Sequence, residues 1–227
     1  PMAYDYFDNF ERVLTGPFSG LSVNGFSGWF DPGSMLVPMA QQRGFPFDKV
    51  PLWQVDHVIN AKVGVAAGAV LGHPDIDSVT RLVHRAAPID VHGVHEMLRT
   101  GFVVHPGTRT VTNSQNTAFI RKLAPAFLLP PMWGRFDDIF SSLIAQRLMP
   151  MRGLLVHHGQ PFVMQQRNPH NTMHDFDLEA LGMRRVSEFA DWLDRVHLAE
   201  GDSVLGHVQT IYGQMKELAW MPAGVSE

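Results

Sequence analysis

The sequence predicts an α/β fold in which a mixed sheet is flanked by helices, and three observations carry that prediction. Short apolar runs of strand length recur near residues 22–30, 62–71, 102–105 and 154–165. Between and after them, apolar residues recur at helical spacing, most clearly in Phe136, Ile139, Phe140, Leu143, Ile144 and Leu148. Two further helical stripes close the chain, Val186, Phe189, Ala190, Leu193 and Val196, then Val204, Val208, Ile211, Met215 and Leu218, separated by Glu200-Gly201-Asp202. Alternation of this kind favours helices packed on a sheet. We therefore expect a core over residues 1–180 and a helical tail over 181–227 docked on it.

Each element has a local reason. Tyr4, Phe7, Phe10, Val13 and Leu14 suit a short helix, and the Gly- and Ser-rich stretch 16–28 suits short extended segments with tight turns. Arg43-Gly44-Phe45-Pro46 places a guanidinium beside a turn, and Val63 to Leu71, small and apolar, reads as a buried strand that ends at Gly72-His73-Pro74. Asp75-Ile76-Asp77 has the spacing of a metal motif. It also precedes Val79-Thr80-Arg81-Leu82, where capping is the simpler reading. His92 and His95 have ligand spacing, but Gly93 between them argues against a stiff zinc pair.

Phe102 to His105 reads as a strand followed by a Pro106-Gly107 turn. Asn113-Ser114-Gln115-Asn116-Thr117 is a run of neutral donors and acceptors, either a polar loop capping a helix or a surface that reads sugar hydroxyls. Leu154 to His158 and Phe162 to Met164 read as two strands around a Gly159-Gln160-Pro161 turn. The stretch 166–179 reads as a solvated loop leading into a capped helix.

The chemically suggestive point is Trp133-Gly134-Arg135-Phe136-Asp137-Asp138, which delivers two carboxylates to a helix N-terminus. There the helix dipole favours a charged carboxylate by about 0.3–1 kcal/mol. Such a group caps the helix, accepts a proton or holds a cation.

Composition narrows the classes. The 227 residues suffice for one full core, and the formal charge of −4 without a Lys/Arg block argues against broad nucleic-acid binding. Cysteine is absent, which removes thiolate chemistry and Cys-ligated zinc, whereas twelve histidines keep a metal or pH-sensitive site in view. No apolar run reaches the roughly 20 residues of a membrane span. A soluble, cytoplasmic chain is expected, with a homo-oligomer as one option.

Six stretches, in order, carry a resemblance. Arg43 to Phe47, Leu71 to Asp77 and Trp133 to Phe140 resemble segments of the reversibly glycosylated polypeptides, the UDP-arabinopyranose mutases of plants. Asn113 to Phe119, Asp138 to Leu148, and Arg167 to Glu179 are similar to STELLO-type glycosyltransferase-like proteins. The resemblance implies a GT-A-like fold, a nucleotide sugar, a hydroxyl acceptor and a divalent metal, Mn or Mg. It also implies that the family's metal-binding aspartates and nucleotide-binding strands belong upstream of the segment matched here, so the chain corresponds to the family's C-terminal part.

On that resemblance Arg43 falls on the reversibly glycosylated arginine and Asp137 and Asp138 on a paired acidic motif, which makes the two aspartates the candidate catalytic base. Arg43, Arg135 and Arg167 become candidates for phosphate or sugar contacts, with Asn113, Gln115, Asn116, Asn168 and His170 for substrate recognition. His157 or His158 is the candidate metal ligand, while Asp75 and Asp77 lie past the family's metal motif and remain caps. The rival expectations are a non-catalytic module binding a carbohydrate or partner, and a nucleotide-sugar mutase built around Arg43.

Overall fold

Strand β3, Trp53–Gly72, is the spine of the molecule. In the computed structural model, which describes residues 2–36, 40–84, 88, 91–169 and 171–220, it is 20 residues long and pairs with three other strands. Its first half runs antiparallel to β1, Phe18–Gly25, and its second half runs parallel to β7, Leu154–Gln165. Strand β4, Phe102–Val104, is parallel to β1 and antiparallel to β7, so the pairings β1–β4–β7–β3–β1 form a cycle. The short β6, Thr117–Phe119, adds to β3 antiparallel, while β2, Trp29–Phe30, and β5, Arg109–Thr110, form a separate parallel pair.

The sheet is mixed and flanked by helices, as the alternation of runs predicts. Helix α1, Met2–Thr15, covers one face, where Phe10 packs with Val63, Ala66 and Val103. The side chains of Tyr4 and Phe7 lie outside the described residues. The opposite face carries the larger core, which takes in Val65, Phe102 and Val104. A shift in register between Val63 and Val65 lets Val63 and Ala66 share one face while Val65 points to the other.

The larger core continues without a break into the C-terminal helices. Helix α4, Asp137–Leu148, and α5, Thr172–Arg195, meet α6, Val204–Gln214, around Trp133, Phe140, Phe189 and Tyr212. All ten residues of the two predicted tail stripes are buried. Gly182 of α5 sits directly on the Phe136 ring, where a Cβ would fall 2.1 Å from the ring, and this close approach seats α5 against the start of α4.

Three local expectations change. Residues 154–165 form one strand rather than two around a turn, because β3 keeps pairing with both halves. Between Gly68↔Gly159 and Val70↔Val163, four steps on β7 face two on β3, and the excess accommodates Pro161, which has no N–H to give the ladder. Residues 53–61, which the periodicity did not single out, are the first half of the spine. Helix α4 is buried on every side rather than along one stripe: Ser141 and Ser142 are 0% and 1% exposed, with hydroxyls donating to the carbonyls of Leu128 and Ile139. Those bonds offset the cost of burying two hydroxyls in the core.

Candidate functional site

Gly44 lies against Ile139 in the first turn of α4, with a left-handed φ of 98°, and a Cβ at this position would fall 2.6 Å from the isoleucine. Only glycine brings the preceding residue this close to the helix end. Arg43, 7% exposed, thereby reaches Asp138 in the first turn: Nη2 lies 3.2 Å from both carboxylate oxygens. The same guanidinium meets Asp75, with Nε 3.0 Å from both oxygens and Nη2 2.7 Å from Oδ2, and its Nη1 donates to the carbonyl of Arg135. Burial disfavours the cation, but Asp75 and Asp138 outweigh it and hold Arg43 above its ordinary value.

Other segments converge on the same carboxylates. The backbone N–H and hydroxyl of Ser114 donate to Asp138 Oδ2 at 3.0 and 3.1 Å, and Asn113 Nδ2 donates to Asp75 Oδ2 at 3.1 Å. Arg167 Nη2 approaches Asp75 Oδ1 at 3.4 Å. Arg135 extends the array to α5, pairing with Glu179 at 3.0 Å and Asp175 at 3.5 Å, while Glu179 also accepts the N–H of Ser78. Buried charges this close persist because each is paired and hydrogen-bonded.

The two members of the Asp doublet have separate partners. Asp138 faces Arg43 and Ser114, whereas Asp137, half-buried, accepts the N–H of Asp138 at 2.7 Å. The two aspartates of Asp75-Ile76-Asp77 also diverge. Asp77 caps α2, Ser78–His84, accepting the N–H of Thr80 at 2.8 Å and its hydroxyl, as expected. Contrary to the capping expected from the sequence, Asp75 is no cap but the hub between Arg43, Asn113 and Arg167. No local signal identifies it, because its main partner lies 32 residues earlier.

Asp138 lines a pocket of about 250 Å³ together with the polar Thr112, Asn113, Ser114 and Thr117 and the apolar Phe119, Phe127 and Leu129. Thr112, Asn113 and Thr117 also border a small void of about 40 Å³ that Asp75, Gln115 and His158 line as well. Arg43 lines neither space. Gln115 Nε2 donates to Gln165, and Asn116 is buried with Nδ2 donating to the carbonyl of Ala69 at 3.3 Å. Asn168 is exposed in the segment preceding α5, and His170 lies outside the described residues. A larger open groove of about 780 Å³ runs along α5 past Phe47, Phe176 and Met183 and contains none of the expected site residues.

His157 and His158 project from β7 into opposite cores. His157 meets the Phe18 ring edge-on, whereas His158 packs with Phe30 and Phe102 and shares a 2.9 Å hydrogen bond with Thr110 Oγ1. Burial lowers His157 to about 4; burial, then the charge of His157, lowers His158 to about 3. Both are neutral at pH 7. Among the described residues no three His, Asp or Glu side chains form a group suited to a metal ion. No helix of the described residues is long and apolar enough to cross a membrane. No family model matches this sequence, and no curated protein matches it.

Proposed function

We propose that the Asp138 pocket is the acceptor site of a glycosyl transfer, in which a sugar passes from a nucleotide sugar to a hydroxyl group. One observation carries this reading: a carboxylate at a helix N-terminus, held by an arginine, shares a pocket with a loop of neutral hydrogen-bonding groups from 24 residues away. Sugar transfer uses those two kinds of group together. The carboxylate takes the proton of the attacking hydroxyl as its oxygen bonds to the anomeric carbon, and the bond from that carbon to the diphosphate oxygen breaks, with the electron pair leaving on the diphosphate. Amides and hydroxyls match a polyol because each both donates and accepts.

In this scheme Asp138 is the base and Arg43 and Ser114 are positioning residues. Among the described residues Oδ1 of Asp138 receives only Arg43, whereas Oδ2 also receives two donors from Ser114, so Oδ1 has the freer lone pair for the acceptor proton. Asn113 and Thr117 serve the acceptor hydroxyls. No step is assigned to a metal or to either histidine. A ring-form mutase acting through Arg43 is a weaker account, since its guanidinium is buried and engaged by Asp75, Asp138 and the Arg135 carbonyl.

A second reading, carbohydrate binding without transfer, draws on a different aspect of the same geometry: a carboxylate engaged by an arginine and two further donors has fewer lone pairs free for an acceptor proton. The test is release of UDP from a panel of UDP-sugars in the presence of pyranoside acceptors, with product detected by mass spectrometry, for the wild type, Asp138→Asn and Asp137→Asn. Transfer through Asp138 predicts a loss of about 10²–10⁴-fold in Asp138→Asn alone. Equal activity in both variants removes Asp138 as base. Pyranoside binding with no transfer in the wild type leaves the binding reading.

A further inference from the structure

We infer that the occupant of the Asp138 pocket is a single sugar ring that lays its apolar face on an outer face of the stacked Phe119–Phe127 pair; the inference rests on the acceptor-site reading above. The two rings stack 4.1 Å apart and 6° from parallel. Phe119 ends β6, which pairs with Val65 of β3, and Phe127 closes the 3-10 segment Arg121–Phe127, so two regular elements hold the platform. Phe119 nevertheless remains 36% exposed, and it lines the pocket with Phe127 and Leu129.

The same pocket is also lined by Thr112, Ser114, Thr117 and Asp138, so it offers both apolar rings and hydrogen-bonding groups. A pyranose ring has the matching asymmetry: C–H groups on one face, hydroxyls around the rim. Its C–H face gains from contact with the electron-rich ring faces, and its hydroxyls donate to the carboxylate and exchange hydrogen bonds with serine and threonine. The space agrees. A pocket of about 250 Å³ corresponds to roughly eight waters at ~30 Å³ each, room for one ring and its hydroxyls, and it falls below the roughly 300–1,000 Å³ usual for larger ligands. An open-chain polyol offers the hydroxyls without a flat apolar face. A nucleobase offers the flat face, but a nucleotide would bring its phosphates toward Asp138.

Ligand-observed NMR on the whole chain tests this with methyl β-D-glucopyranoside, methyl β-D-galactopyranoside, sorbitol and uridine as probes. The expected result is saturation transfer concentrated on the C–H protons of one face of a pyranoside, undiminished by an equal concentration of sorbitol or uridine. Phe119→Ala should weaken pyranoside binding about five- to tenfold, and Phe119→Tyr should restore it. Because Phe119 is at the surface, the alanine variant is checked for unchanged thermal unfolding, and Phe127→Leu provides a second probe of the platform. Unchanged affinity in both Phe119→Ala and Phe127→Leu, with affinity lost in Asp138→Asn, overturns the platform and leaves the acceptor-site reading intact. Pyranoside binding that depends on Phe119, in a chain that transfers no sugar, upholds the platform and removes the transferase reading. Displacement of the pyranoside by uridine or sorbitol at comparable concentration, or no pyranoside bound at all, overturns the inference.

Discussion

The chain carries two doublets of titratable residues, Asp137-Asp138 and His157-His158, and the protein treats them in opposite ways. On α4 the two aspartates point about 100° apart around the helix, so one reaches the buried arginine and the other stays half-exposed at the helix end. On β7 the two histidines point to opposite faces of a sheet covered on both sides, so both enter apolar cores. Asp138 is met by the guanidinium of Arg43. Burial keeps both histidines neutral at pH 7. Adjacent letters in a sequence therefore say little about a shared task; the element that carries them decides which neighbours they meet.

Breaking the charged cluster should have the largest effect. Arg43→Met leaves Asp75 and Asp138 buried without their principal cation, and a loss of about 3–5 kcal/mol in urea unfolding is expected. Adding Asp138→Asn should cost less than the sum of the two single variants, because one of the stranded charges is then gone. Strict additivity would mean that Arg43 and Asp138 do not act as a pair.

The neutral doublet predicts a pH dependence of definite sign. The unfolded chain takes up protons on both histidines near 6.5, whereas the folded chain refuses them until about 4 and about 3. Stability from these groups therefore falls as the pH drops below about 6.5 and levels off beneath the folded values. Asp31, buried and pushed up to about 7, acts in the opposite sense between 3.8 and about 7, so the comparison is made against a variant. His158→Phe fits the same aromatic surroundings and should reduce the stability lost between pH 7 and pH 4 by on the order of 2–3 kcal/mol. Parallel pH profiles for variant and wild type would show that His158 is not the buried neutral group.

The smallest effect is expected at the exposed end of the acidic doublet. Asp137→Ala removes the acceptor for the Asp138 N–H and a charge at the helix N-terminus, worth about 0.5–1 kcal/mol by thermal denaturation. A loss as large as that of Arg43→Met would mean that the two aspartates are equivalent, which removes the contrast drawn between the doublets.

Much of the framework is legible in the amino-acid order. The two tail stripes announce themselves through a spacing of three and four residues, since burial of one face imposes a local period, and α4 and the strands near 62–71, 102–105 and 154–165 through their recurring apolar residues. The cap at Asp77 is legible for the same reason, its partner being three residues away. Asp75 is not: its carboxylate meets a guanidinium 32 residues earlier and an amide 38 residues later. Nor is the Phe119–Phe127 platform, which exists only because β6 adds to β3 and the following 3-10 turns bring the second ring back over the first. Periodicity records which side of an element faces the core, and so it yields elements and caps. Which charges pair, and which polar loop shares a pocket with which carboxylate, depends on chain segments brought together from tens of residues apart, and only the packed tertiary structure decides that.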